Sequence, residues 1–487
     1  MNGGPAETDY FVVPYILVMA LATAWIVAPW YGHVDDRDAQ VYQVVARHMV
    51  EDHDWLNLRY LSGAHPKFRE QLPFGIWPFA AAISVSNEQA LAPTAALFSL
   101  ATIALVGWIA TVLGGHAAGL VAMVMLATNK VMVYFGGRSR LDPLLILLAT
   151  AAAAHVLVPR VGRKQWIASG VFGALAALVK GPFGLLPLAS AIAARSIVER
   201  SPRLAVRGGF VVVSSTIPVA AFLLTDKWFM DGTWWNGYFL NQLFASAVGV
   251  RLDGHVSSFY PLSVVSTLFL PGIPLAILGL WQILWNNRPI PGTNHSIAAV
   301  NDGTLRMVAL LCMFVLLGLC FPARKLSHHA WIVFPWLGVL CGLVSGRYVE
   351  VLLSSEWRRK VLKHVLLAAV ALSWSFSLGG LGAKLNARPC VISQEFAEYF
   401  DHVPPATDIL VVSKEPRWGM LASIAAERKV VAWPIQNLIS ANPSFEYPAR
   451  PRLALVRTDE LPQGLGRWRK VDTARGWTLL KYDDVAE

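Results

Sequence analysis

Residues 166–197, WIASGVFGALAALVKGPFGLLPLASAIAARSI, form one long apolar run carrying a single lysine near its middle, Lys180, followed at once by Gly181 and Pro182. A helix needs about 20 apolar residues to cross a bilayer, and a Gly-Pro pair after a charged residue marks a turn. The run therefore predicts two spans that meet at Lys180. Comparable runs stand at 11–30, 91–113, 117–135, 142–159, 208–224, 261–285, 307–322, 330–346 and 364–381, which makes about eleven spans at that length. Residues 74–86 are apolar but too short to cross, and read as a re-entrant or interfacial segment. Of the 487 residues, 55% are hydrophobic and only 15% charged, with a mean hydropathy of +0.48. Soluble domains are nearer about a quarter charged, so the chain reads as an α-helical polytopic membrane protein.

The net charge of +10 belongs in this setting to loops on the cytoplasmic side, and does not indicate nucleic acid as a partner. Cys312, Cys320 and Cys341 fall in apolar runs, Cys390 stands apart, and no CxxC pair occurs, so neither a disulfide framework nor a cysteine metal site is expected. The first span lacks a basic leader and a small-residue cleavage site, and reads as a retained anchor. The basic loops 160–165, 195–207 and 347–363 fall on one side if the eleven-span count holds, and the positive-inside rule makes that side cytoplasmic. The acidic loop 31–90, the turn at Lys180, the loop 225–260 and the loop 323–329 then share the outer face. Beyond residue 381 the composition turns soluble. DILVVS (408–413), KVVAWP (429–434), RLALVRT (452–458) and WTLLKY (477–482) read as strands, and WGMLASIAAE (418–427) as a helix. The expected organisation is a transmembrane domain over 1–381 and a small extracytoplasmic α/β domain over 382–487.

Polar residues gather where spans end on the outer face. Asp38 opens a helix in which Tyr42, Val45, Ala46 and Met49 recur at helical spacing, so its greasy side can lie on the bilayer. Glu70 sits in FREQLP (68–73), Arg138, Arg140 and Asp142 in GGRSRLDP (136–143), and Asn241, Arg251, Asp253 and His255 in the loop 225–260. Arg324, Lys325, His328 and His329 make an outer loop that breaks the positive-inside bias. Each has an ordinary role when taken singly. Asp38 can cap its helix, Asp142 before Pro143 is a usual helix start, Lys180 can cap carbonyls, and an arginine at a span end often snorkels. Together, carboxylates and several cations on one face point to a pocket for an anionic, lipid-linked substrate. A phosphate needs Arg and Lys around it, and an attacking hydroxyl needs a base.

Order and spacing add a resemblance. D-x-x-x-Y-x-x-x-A-R-x-M (Asp38 to Met49), D-W (Asp54, Trp55) and F-x-E-x-x-P-x-x-x-W (Phe68 to Trp77) come first. R-x-x-L-D-P-L ending at Leu144, L-V-K-G-P-x-G (178–184), W-x-N-G-Y-F-L-N-Q-L-F (234–244) with Gly254-His255, and K-L-S-H-H ahead of F-P (325–335) follow. Over roughly residues 10–345 this resembles the polyprenyl-phosphate-sugar glycosyltransferases of the glycosyltransferase-C superfold, the lipid A aminoarabinose transferase and dolichyl-phosphate-mannose protein mannosyltransferase relatives. The resemblance implies Asp38 as the essential carboxylate, with Asp142 as a second catalytic acid. It implies Lys180 for the donor phosphate, helped by Arg324 or Lys325, with Arg138 and Arg140 nearby. Tyr42, Glu70, Asn241 and His329 would line the pocket, and Glu70 with His255 match positions that hold a divalent metal cation. The chain departs from the family at Ala39, where Glu is frequent, at Gln71-Leu72 in place of Lys-Pro, and at His329, where a tyrosine is expected.

The expected activity is inverting transfer of one sugar from a polyprenyl-phosphate donor to an envelope acceptor, lipid A or another glycolipid or glycan. It would take place at the outer, periplasmic face of the cytoplasmic membrane. The alternative acceptor is a protein hydroxyl, as in protein O-mannosyltransferases. A lipid or solute transporter is the rival from another class. Transporters commonly repeat a broken span in each half at mid-membrane, whereas this chain has one evident break and its polar residues gather at one face.

Overall fold

The computed structural model describes residues 5–27, 37–59, 62–63, 68–86, 90–159, 161–249, 257–269, 272–275, 277–278, 302–323, 325–352, 355–384, 409–412, 430–433, 453–457, 468–474 and 477–482. In chain order the helices are α1 (Pro5–Val27), α2 (Arg37–Glu51), α3 (Trp77–Val85), α4 (Leu91–Gly114), α5 (His116–Ala127), α6 (Lys130–Phe135), α7 (Leu141–Leu157), α8 (Arg163–Lys180), α9 (Leu186–Val198) and α10 (Pro202–Phe229). A π-helix, Trp235–Phe244, precedes α11 (Ala245–Val248) and α12 (Tyr260–Leu268). Then come α13 (Asp302–Cys320), a 3-10 turn at Ser327–Val333, α14 (Phe334–Leu352) and α15 (Glu356–Lys384). The strands are β1 (Ser62–Gly63), β2 (Ile409–Val412), β3 (Val430–Trp433), β4 (Leu453–Arg457), β5 (Trp468–Ala474) and β6 (Trp477–Tyr482).

The fold is mostly helical, and each apolar run read from the sequence carries a helix. Among the described residues, five stretches are long and apolar enough to cross a membrane: Leu91–Gly114, Arg163–Val198, Pro202–Phe229, Gly303–Cys320 and Ser327–Gly346. Three shorter apolar helices lie at Phe11–Ile26, His116–Ala127 and Leu141–Leu157. The break expected at Lys180 is present. α8 ends there, Gly181–Leu185 forms a 3-10 turn, and α9 starts at Leu186. The loop expected over 225–260 is largely helical instead. α10 runs on to Phe229 and the π-helix fills 235–244, with Tyr238 as its buried residue.

The chain divides into two compact units. The first, Met1–Trp30, Arg69–Gly75 and Ala92–Leu378, is the helical bundle. Small residues set its spacing, since in lipid close backbone approach replaces the hydrophobic drive between helices. Along α14, side chains added at Gly342 or Gly346 would strike the backbone of α5 at Ala118. A side chain at Gly119 would strike both Thr111 of α4 and Tyr15 of α1, and the Tyr15 hydroxyl itself bonds Thr111 Oγ1 at 2.7 Å and donates to the His116 carbonyl at 2.9 Å. A buried cation ties α9 to the C-terminal end of α7. Arg195 of α9 donates to the carbonyls of Val156 and, at 2.7 Å, Val158, and its Nε donates to Glu199 at 2.6 Å. These satisfy carbonyls that the last turn of α7 leaves open.

The second unit is Tyr31–Phe68, Ile76–Leu91 and Gly379–Glu487. Its six strands run in the order β1-β3-β2-β4-β6-β5. β1, β3, β2 and β4 pair in parallel, and β6 joins β4 and β5 antiparallel. The four strands read from alternation and β-branched content all form. β5 and the two-residue β1 went unread, β5 because its first half, WRK, carries two charges. The helix read at 418–427 lies outside the described residues. α2 packs against α3 in this unit; Tyr42, Val45, Ala46 and Met49, expected to lie on the bilayer, are instead buried in protein, as are Val44, Arg47 and His48, so the helix is covered on more than its greasy side.

Candidate active site

Three segments of the helical unit converge on Asp142: the start of α7, the break after α8, and the turn 327–333. Asp142 lies in the first turn of α7, where the helix dipole favours a negative charge. Its Oδ1 accepts from Lys180 Nζ at 2.6 Å, and its Oδ2 accepts from Arg140 Nε at 3.0 Å. All three side chains are nearly enclosed, with 5% exposure for Asp142, 7% for Arg140 and 9% for Lys180. One carboxylate thus joins two cations from separate segments of the chain.

Aromatic rings wall the group. The Arg140 guanidinium lies 5.2 Å from the Trp331 ring centre and 5.4 Å from that of Phe135, contacts that favour a planar cation. Arg138 stacks on Tyr134 at 3.9 Å. His328 is within electrostatic reach of Asp142, Lys180 and Arg140. His329 stands beside it, with its ring 4.7 Å from that of His328 and 5.0 Å from Phe183 in the Gly181–Leu185 turn.

Behind the turn lies the π-helix. Asp226, fully buried near the end of α10, accepts from the Trp235 amide at 2.8 Å and fixes its start. Trp234, also enclosed, is held between Phe222 and the Arg69 guanidinium, which lies 4.4 Å above its ring. Arg69 Nε also donates to Thr233 Oγ1 at 3.1 Å. One turn on, Tyr238 is buried and its phenol presses on Gly181. Burial raises the Tyr238 pKa above the ordinary tyrosine value, so the group is a neutral phenol at physiological pH.

The structure therefore brings Arg140, Asp142 and Lys180 into one bonded group, with Arg138 and His329 against the surrounding rings. Lys325 is buried and donates to the Pro322 carbonyl at 2.6 Å. Asn241 is exposed on the π-helix, and Glu70 is exposed after Arg69. Asp38 and Tyr42 belong to the second unit. Asp38 is half-buried in the first turn of α2, and Tyr42 is buried with its ring 6.5 Å from Phe68, edge to face. Arg324 and His255 lie outside the described residues. Among the described residues no three His, Cys, Asp or Glu side chains come together as a metal site, and His255, expected with Glu70 to hold a divalent cation, lies outside them. Sequence reasoning passed over Trp331, Phe135 and Tyr238. Tyr238 sat inside a quoted motif, W-x-N-G-Y, and the other two carry no signal until the chain folds.

The chain has the fold of the glycosyltransferase-C superfold, and the resemblance read from the sequence is borne out. Residues 70–223 match the family described as dolichyl-phosphate-mannose-protein mannosyltransferase. ArnT from Cupriavidus metallidurans, bound to undecaprenyl phosphate, shares the fold with a TM-score of 0.72 at 16% identity, over 96% of this chain and 97% of that one. The apo state of the same protein gives a TM-score of 0.68 at 16% identity, over 98% of each chain. The archaeal oligosaccharyltransferase AglB from Archaeoglobus fulgidus, in complex with an inhibitory peptide and a dolichol-phosphate, gives 0.53 at 12% identity, over 93% of this chain and 70% of that one. No curated protein matches the chain by sequence.

Proposed function

We propose that this protein transfers a single sugar from a polyprenyl-phosphate donor to a cell-envelope acceptor, with inversion at the anomeric carbon. The acceptor we favour is lipid A or another envelope glycolipid or glycan, and the site faces the periplasmic side of a cytoplasmic membrane crossed about eleven times at ordinary span length. The observation that carries the reading is the enclosed Arg140–Asp142–Lys180 group, in which two cations are brought together on one carboxylate. Paired Arg and Lys suit a phosphate, and the fold shared with ArnT bound to undecaprenyl phosphate and AglB bound to dolichol-phosphate supports a lipid-phosphate carrier.

In this mechanism the bond from sugar C1 to the phosphate oxygen breaks, and its electron pair stays on the phosphate. The acceptor oxygen attacks C1 from the opposite face of an oxocarbenium-like state and gives up its proton to Asp38. Lys180 and Arg140 hold the leaving phosphate, where electrostatic stabilisation is strongest because charge grows during the reaction. Both Asp142 oxygens are engaged, so Asp142 serves by aligning these two cations.

The matching family's description favours a second acceptor class, a protein hydroxyl. Purified protein incubated with a labelled polyprenyl-phosphate sugar and crude envelope acceptors tests the reaction, with label expected in the glycolipid fraction. Label in protein alone would replace the acceptor, and no transfer to either fraction would overturn the function. Mass spectrometry of envelope glycolipids and secreted proteins from a deletion strain separates the acceptors independently.

A further inference from the structure

Tyr238 belongs to none of the roles assigned above, yet its surroundings are unusual for a packing residue. It is 3% exposed, and its hydroxyl makes no hydrogen bond with any described residue. Its oxygen is nevertheless not one of the fully enclosed polar atoms left unpartnered among the described residues, so the hydroxyl keeps a small accessible surface at which a ligand oxygen can meet it. The position of the hydroxyl is also built. It rests on Gly181, the residue after Lys180, and a side chain there would collide with it. Gly181 has φ +66 and is buried, so both its conformation and its lack of a side chain are required. The phenol is delivered by a π-helix, a geometry uncommon outside functional sites. Asp226 and the Trp234 stack hold that helix at its first turn.

We propose that the Tyr238 hydroxyl is a donor-phosphate-binding group, donating a hydrogen bond to a non-bridging phosphate oxygen of the polyprenyl-phosphate held by Lys180. This rests on the function proposed above and adds a neutral donor to its two cations. The raised pKa keeps the phenol protonated, so it can give its hydrogen to an anion across the physiological range. Gly181 acts through it, by leaving room for the phenol beside the lysine.

The test is binding of undecaprenyl phosphate, and separately of undecaprenol, to the purified full-length protein in detergent. The variants are Tyr238→Phe, Gly181→Ala and Lys180→Met, and thermal unfolding is recorded for each. The wild type is expected to bind the phosphate form more tightly than the alcohol. Y238F is expected to weaken phosphate binding by about tenfold or more, as for a hydrogen bond to a charged group, and to leave the alcohol unchanged. G181A is expected to reproduce that selective loss by displacing the phenol. Y238F that binds the phosphate form as the wild type does, or that loses both ligands equally, overturns the role of Tyr238 while a selective loss in K180M leaves the site standing. A wild type that does not distinguish phosphate from alcohol overturns both.

Discussion

Asp142 and Asp38 are both carboxylates in the first turn of a helix, and they differ in everything else. Asp142 is enclosed, with each oxygen on a cation. Asp38 is half-buried, on an amphipathic helix of the other unit. A carboxylate that accepts from a cation on each oxygen is committed to holding them. Such a group orders its neighbours. A carboxylate left partly open can meet a substrate. The same residue in the same helical position is therefore read here as scaffold in one case and base in the other, and the environment decides which.

The comparison breaks most directly at Asp38. Replacing it with Asn removes the base, so transfer should fall by about 100- to 10,000-fold, the usual share of general acid–base catalysis. Undecaprenyl phosphate binding should hold. Loss of binding together with transfer would make Asp38 a second donor-site residue instead. Asp142→Asn should act differently. It leaves Arg140 and Lys180 enclosed without their counter-charge, and breaking such a group costs about 3–5 kcal/mol of stability. Thermal unfolding in detergent should show a marked drop, partly restored by added undecaprenyl phosphate because a ligand that binds only the folded state stabilises it. An Asp142→Asn protein as stable as the wild type would contradict the enclosed group.

Arg195→Met sharpens the contrast from the opposite end of α7. It removes a buried cation that bonds only carbonyls and Glu199, so it should cost about 1–3 kcal/mol for groups left unpaired. Transfer per folded molecule, measured against the amount of protein that survives a heat step, should stay within twofold or so of wild type, roughly 0.4 kcal/mol. The smallest effect is expected at Lys325, whose ammonium sits on the Pro322 carbonyl. Lys325→Gln can keep that bond, so donor binding should change by less than about threefold, under roughly 0.7 kcal/mol. A loss as large as that of Lys180→Met would return Lys325 to the phosphate.

Much of this was legible in the chain. The break at Lys180 follows from Gly-Pro chemistry, the start of α7 from Asp142-Pro143, and the four principal strands from β-branched alternation. The helix α2 follows from helical spacing. Each is a local consequence of backbone sterics or periodic burial, and local rules are written in local sequence. Motif order added Asp142, Lys180 and Arg140 as members of one site. It could not say that they bond to one another, since they lie on separate segments and their distances depend on how those segments pack.

What the sequence alone determined is a membrane protein of many apolar helices with a sheet-forming tail. Hydropathy and propensity suffice for that, because a bilayer sorts residues one segment at a time. Tertiary structure alone decided that the lysine beside the helix break is paired to Asp142 at 2.6 Å and not a lone cap. It alone decided that Trp331 and Phe135 wall Arg140, and that a tyrosine from the π-helix comes to rest on Gly181. Pairing energy and burial are properties of positions in space, and only the packed chain brings those positions together.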